Sequence, residues 1–207
     1  MSPRRSDSRE RMISSAAVLL GEQGAGATSI DRVLAHSGAP RGSVYHHFPD
    51  GRAQLIDEAV VFAGDVMAAR IAAAASAGDP VAAIDSFFAL WRDRLAGSDF
   101  RAGCPIVAAA VAADDEGPRW ADSAAVVFAR WQETLAALFV AGGLPRTRGR
   151  RLATFVIGAV EGAVVMCRAE RSLAPLDAAA AEIRDLLLHA LPDRSEPPAE
   201  PGKGSRS

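Results

Sequence analysis

The chain has 207 residues, of which 49% are hydrophobic, and a formal net charge of −2. That length and apolar content suit one large domain, or a small and a medium one, with a sizeable core. The charge excludes nucleic-acid binding by bulk electrostatics, so any such function must rest on local placement of basic groups. All basic residues except Lys203 are arginine, which reads as a bias of composition and not as a site.

Strand signals are scarce and helical periodicity runs throughout, so the expected fold is all-α with about nine helices. A first helix is predicted from Ser8 to Gly21, with Met12, Ile13, Ala16, Ala17, Leu19 and Leu20 on its apolar face. "GEQGAGA" breaks it, and Thr28 takes the N-cap of a second helix over Ser29 to His36. "SGAP" turns the chain into a third helix, Pro40 to Phe48, which "PDG" stops. A long fourth helix follows, Arg52 to Ala77, and "GDP" supplies a breaker, an N-cap and a first-turn proline for a fifth that ends near Ala96. "CPIVAAAVAAD" is a short sixth helix. The seventh spans Arg119 to Ala141, the eighth Arg146 to Arg171, and the ninth Ala178 to Leu191. The tail, residues 192–207, is rich in Pro, Ser, Gly and charge and is expected to be disordered.

Two cysteines, Cys104 and Cys167, make no disulfide framework. They read as buried small apolar residues, with a thiol switch as the other reading. No secretory signal opens the chain, and no uninterrupted apolar run reaches the roughly 18–20 residues of a membrane span, so a cytoplasmic protein off the membrane is expected. The chain offers no nucleophile–base pair, no Gly-rich phosphate loop and no metal-ligand spacing. His46 and His47 are adjacent and cannot face one site from one helix surface. The cluster Asp114, Asp115, Glu116 falls in a loop, as solvated charge or as a cap on the seventh helix. Catalysis, cofactors and a metal are therefore not expected.

The second and third helices form a helix-turn-helix, with Gly38 at the tight turn where a positive φ is needed. Val44 and Phe48, four apart, face inward, which leaves Arg41, Ser43, Tyr45 and His46 on the opposite face. Gly42 lets the backbone approach a partner closely. An arginine at a helix start can fork onto a guanine edge, while serine, tyrosine and histidine can reach bases or phosphates. The spacing alone leaves two readings open: a DNA-reading edge, or a helical hairpin with a polar exterior.

"TSIDRVLAHSGAPRGSVYHHFPDGRAQL" resembles the DNA-binding domain of the TetR family of bacterial transcriptional regulators, over about residues 8 to 60. "FPDGRAQL" and "RAGCPIVAAA" are similar to the LmrA/YxaF-like branch. Three positions depart from the family pattern: Leu34 stands for a small alanine, Pro40 for the usual Ser/Thr cap, and Arg52 for a phosphate-binding lysine, which keeps the charge but changes the geometry.

The resemblance implies that Thr28 caps the second helix and touches phosphate. It implies that Arg41, Gly42 and Ser43 face base edges, and that Tyr45, His46, His47 and Arg52 grip the backbone of operator DNA. Arg4 and Arg5 either enter the minor groove as an arm or stay solvated. Residues 1–52 carry seven arginines against five acids, net +2, and the remainder is net −4.

The resemblance further implies a layout: residues 1–52 as a helix-turn-helix DNA-binding domain, and 53–191 as a helical ligand-binding and dimerisation domain. The aromatic side chains of the second part are core, or they line a cavity for an apolar or aromatic small molecule. The candidates for its wall are Phe87, Trp91, Phe128, Trp131 and Phe155. Glu161 lies in the most apolar helix between Gly158 and Gly162. A lone buried carboxylate needs a partner, either an arginine across a dimer interface or a polar group on a ligand. The implied function is a homodimeric repressor released from a palindromic operator by a small molecule; the alternative is a helical protein-interaction module that binds no DNA.

Overall fold

The computed structural model describes residues 3–76, 78–113 and 115–192, without the side chains of residues 3–6. The side chains of Arg4 and Arg5, residue Asp114, and the tail from residue 193 lie outside the described residues. Among the described residues there is no strand. The elements are α1 (Pro3–Gln23), α2 (Ile30–Ser37), α3 (Val44–His47), α4 (Gly51–Ala75), α5 (Pro80–Gly97), α6 (Pro105–Ala110), α7 (Gly117–Ala141), α8 (Arg146–Glu170) and α9 (Ala174–Ala190).

Local chemistry fixes most boundaries. Asp79 caps α5 as expected: its Oδ1 accepts from the amides of Val81 at 2.9 Å and Ala82 at 3.2 Å, with Pro80 in the first turn where no amide is needed. Gly38 ends α2 in the left-handed region, φ 64°, and its amide donates to Leu34 O.

Several sequence expectations change, the first being α1, which starts at Pro3 and not at Ser8. Ser29 caps α2 and accepts from the Arg32 amide, while Thr28 instead donates from Oγ1 to Gly24 O at 2.8 Å and is buried. The third helix does not run unbroken from Pro40: Arg41–Ser43 form a tighter 3₁₀ turn before α3. Pro40 provides no side-chain cap, and the Ser43 amide and hydroxyl both return to Pro40 O. Finally, α9 starts at Ala174, because Pro175 sits in the first turn, where proline is tolerated.

Two apolar cores result. The smaller gathers Met12, Ala16, Val33, Leu34, Val44 and Phe48 from α1 to α3, closed by Leu55 and Ala59 of α4. Leu34, larger than the family pattern, is absorbed there. The larger core is built from α4 to α9, with Leu20 of α1 and Ala25 of the loop after it. Two helices serve both: α4, with Leu55 and Ala59 turned to the first and Ile56, Val60, Met67 and Ile71 to the second, and α1, with Met12 and Ala16 in the first and Leu20 in the second.

Helix α7 is strapped along α4. The Trp120 indole donates to Ala53 O at 3.2 Å and that of Trp131 to Gly64 O at 3.1 Å, while Arg119 and Ser123 both reach Asp57. Gly64 permits this approach, since a Cβ there would stand 2.7 Å from Val127. By length and composition α7 and α8 could each cross a membrane. In the fold they pack on one another, α7 also on α4 and α6, and α8 also on α9.

Candidate functional site

The helix-turn-helix presents its polar edge outward. Val44 and Phe48 are 1% and 0% exposed and anchor the segment from behind. Arg9 braces this anchor, with its guanidinium 5.4 Å over the Phe48 ring and an ion pair to Glu58 of α4. A hydrogen bond of 2.9 Å between His36 and Ser15 ties α2 to α1. On the free side Arg41 is exposed, Tyr45 is 70% exposed and His46 is exposed. A Cβ on Gly42 would meet nothing within 4 Å, so the backbone is open to close approach. Arg41 pairs with Asp31 of α2 at 3.0 Å across the surface. Ser43 and His47 are half-buried, and with Gly42 and His46 they line a groove that continues to Ser8 and Arg11 of α1.

Two of the predicted backbone grips are turned inward. The hydroxyl of Thr28 is committed to Gly24 O within the α1–α2 loop. Arg52 donates from Nε to Thr28 O at 3.0 Å and from Nη2 to Ala25 O, and its guanidinium lies 5.0 Å over the Trp120 ring. Together they fix the α1–α2 loop against α4 and α7. No local signal marks this, because the stacking partner of Arg52 lies far along the chain.

The larger core holds a cavity of about 310 Å³ between α4, α5, α7 and α8. Its wall is apolar (Ile84, Leu90, Leu135, Leu138 and Val160 among others), with Arg70, Ser86 and Glu161 as the polar or charged side chains. Of the predicted aromatics, Phe87 and Trp131 line it. Trp91 lines a neighbouring cavity of about 160 Å³ that shares Trp131. Its indole Nε1 is buried with no hydrogen-bond partner.

The other two candidates are corrected. Phe128 packs edge-on against Trp131, with ring centroids 5.7 Å apart, and lines neither cavity. Phe155 is 53% exposed on the outer face of α8. Leu90, Leu135 and Leu138 complete the wall. The aromatic content pointed past them, although the three-residue spacing of Ile84, Phe87 and Leu90 on α5 carried the signal.

Glu161 lines this cavity and also a third one, which opens beside the α1–α2 loop and Arg168. Burial pushes its carboxyl up from the ordinary 4.5 to about 7, against the opposing pull of a hydrogen bond from the Cys104 thiol and the nearby charge of Arg94. Cys104 is in turn pushed well above its usual value by burial and by Glu161. Both cysteines are buried free thiols. Arg94 stacks 5.2 Å over Trp91. Glu161 therefore stands on the cavity side of α8, and the outer face of that helix carries Phe155, Gly158, Gly162, Val165 and Met166. A Cβ on either glycine would meet nothing within 4 Å in this chain. Among the described residues no three His, Cys, Asp or Glu side chains are grouped to hold a metal ion.

Residues 12–59 match the family model "Bacterial regulatory proteins, tetR family", and residues 80–182 match "Transcriptional regulator LmrA/YxaF-like, C-terminal domain". The chain is 46% identical over 192 residues to the uncharacterized HTH-type transcriptional regulator Rv0196 of Mycobacterium tuberculosis, covering 90% of this chain and 97% of that protein. It is 29% identical over 175 residues to YxaF of Bacillus subtilis, covering 83% and 91%. Its fold is that of the regulatory protein TetR from Rhodobacter sphaeroides, with a TM-score of 0.76 at 22% identity over 85% of this chain and 96% of that one. These relatives are transcriptional regulators and not enzymes. With a helix-turn-helix at one end and an LmrA/YxaF-like helical domain behind it, the chain belongs to the TetR family of HTH-type transcriptional regulators.

Proposed function

We propose that this regulator is a cytoplasmic, homodimeric repressor that leaves a palindromic operator when a small apolar or aromatic molecule enters the cavity of its larger core. The observation that carries the reading is the outward edge of the α2–α3 unit, where exposed Arg41, Tyr45 and His46 stand over the buried pair Val44 and Phe48. Arg41, Gly42 and Ser43 face base edges, and Tyr45, His46 and His47 hold phosphates. Arg52 and Thr28 act one step back, by fixing the loop that precedes α2. On this reading residues 1–52 read the DNA and residues 53–191 bind the ligand and dimerise.

The dimer forms through the outer faces of α8 and α9. Phe155, Val165, Met166 and Leu188 are exposed there, and Gly158 and Gly162 leave room for a second helix. Two reading edges then meet major-groove segments about 34 Å apart. Ligand between α4, α5, α7 and α8 displaces α4, which carries side chains of both cores, and favours a spacing that does not fit the operator. Phe87 and Trp131 touch the ligand directly, and Trp91 borders it.

The test is a gel-shift titration of the purified protein on its own upstream DNA at low salt. A shifted band is expected, and its loss is expected in the Arg41→Ala/Tyr45→Ala double variant with melting temperature and dimer unchanged. An unshifted wild type, or a double variant that binds as well as wild type, would overturn the reading. The first of these outcomes would leave a protein-interaction module as the better account, and the second would put the DNA contact on another surface.

A further inference from the structure

We infer that the cavity of the larger core is a site for a small apolar cation, an amine on an aromatic or aliphatic body, with Glu161 as its counter-charge. The inference rests on the reading of this cavity as the ligand site and adds the chemical class of the occupant.

The argument starts from charge. Two charged side chains line the cavity, Arg70 and Glu161. Arg70 is exposed, and solvent screens what it can offer a ligand. Glu161 is half-buried on the cavity side of α8, and its neighbours leave it short of a counter-ion. The thiol of Cys104, from the segment before α6, donates to it, but a thiol is a weak donor. Arg94 of α5 contributes charge from nearby without an ion pair to Glu161 among the described contacts, because its guanidinium is stacked on Trp91 and lines the other cavity. Arg168 and Glu22 border the third cavity, and Arg168 is spent on the Gly21 and Glu22 carbonyls at 3.0 and 2.7 Å.

A carboxylate in such surroundings is costly unless a cation joins it. The rest of the wall is apolar, so the remainder of the ligand is apolar too. The volume, about 310 Å³, is at the small end for ligand pockets, which limits the body to a compact ring system or short chain. An anionic ligand would meet Glu161 as a like charge, and a neutral one would leave it unpaired.

The sign of the pH dependence separates these cases. Glu161 titrates near neutrality, with Cys104, Arg94 and Arg70 as the titratable or charged groups around it. An amine that stays protonated between pH 6 and 8 binds the ionised carboxylate, so its affinity rises with pH. A neutral hydrogen-bond acceptor binds the protonated acid, so its affinity falls.

The experiment is isothermal titration calorimetry on the purified full chain with three matched probes: 1-naphthylmethylamine, 1-naphthalenemethanol and 1-naphthoate. At pH 8 the amine is expected to bind about tenfold tighter than the alcohol, and naphthoate more weakly than either. At pH 6 the amine's advantage is expected to shrink about tenfold as Glu161 takes up its proton. Glu161→Gln is expected to remove the preference and leave alcohol binding within about threefold, which also reports that the cavity is intact. Should that variant fail to fold, the wild-type pH series decides alone. The cation preference is overturned, with the cavity reading left standing, if the alcohol binds as tightly as the amine, if naphthoate binds tightest, or if Glu161→Gln keeps the preference. If none of the three binds at millimolar concentration, the cavity reading fails with it.

Discussion

In the smaller core polar side chains point outward: Arg41, Tyr45 and His46 reach solvent, and the interior behind them is Met12, Val33, Val44 and Phe48. The larger core keeps polar groups inside, with Glu161 at the junction of two cavities, the Cys104 thiol against it, and the indole Nε1 of Trp91 without a partner. A surface edge suits a large, charged, external partner. Interior polar groups beside unfilled space suit a small partner that enters and replaces missing contacts. Because α4 and α1 both have side chains in both cores, each core can respond to the other through shared helices.

The comparison breaks most visibly at Phe48, the fully buried anchor of the smaller core. Phe48→Ala is expected to cost about 3–5 kcal/mol, as large-to-small core changes do. The loss should fall on α1 to α3 while α4 to α9 persist, so thermal unfolding followed by circular dichroism should split into two steps. A single unchanged transition would mean that the two cores fold as one unit.

Glu161 sharpens the comparison from the other side. Its folded value, about 7, lies above the ordinary 4.5, so the native state favours the protonated acid. That contribution is fully present below pH 4.5 and is lost as pH rises through 7. Glu161→Gln, neutral at every pH, is therefore expected to exceed wild type in stability by up to about 3 kcal/mol at pH 8, and the gain should vanish near pH 4. Urea denaturation at the two pH values checks this. An equal difference at both would remove burial as the cause.

A smaller effect is expected at Arg168 of α8, whose guanidinium holds the last carbonyls of α1 where Gly21 meets Gly103. A Cβ on Gly21 would sit 2.4 Å from Gly103 O, so the two segments are in direct contact. Arg168→Ala is expected to cost about 1.5–3 kcal/mol, the worth of hydrogen bonds from a charged donor. It should also speed amide exchange at the end of α1, read by hydrogen exchange. Unchanged exchange there would show that Arg168 does not help to hold the end of α1.

How much of this could be read beforehand follows the range of the interactions. The α2–turn–α3 unit is written in neighbours: Val44 and Phe48 four apart, Gly38 where φ turns positive, and a hydroxyl before α2. The one-residue error in the cap, Thr28 for Ser29, arose because both carry the right group and only Gly24 O decides between them. Arg52 was not legible in the same way, since Trp120 and the loop carbonyls that hold it come together only in the fold. The cavity wall suffered most at α8. That helix is apolar on both sides, so nothing in its periodicity said that Val156 and Val160 point in and Phe155 points out. The fold class needed only periodicity and breakers, and those were plain.

The smallest expected effect on stability is at Tyr45, and it discriminates best between the two cores' roles. The side chain is 70% exposed and belongs to neither core, so Tyr45→Ala should change the free energy of unfolding by less than about 0.5 kcal/mol. A phosphate contact carries no base information, so the same variant should bind operator and unrelated DNA more weakly by a similar factor. Arg41→Ala should instead lose preference for one base pair at about 1–3 kcal/mol. Competition gel shifts with a panel of single-base operator variants separate the two. If Tyr45→Ala altered base preference and Arg41→Ala did not, the edge would read DNA in a different register, with α3 rotated relative to the groove. If either substitution lowered stability by more than about 1 kcal/mol, the edge would be part of the core that holds it, and the division between an outward-reading and an inward-binding region would fail at its clearest point.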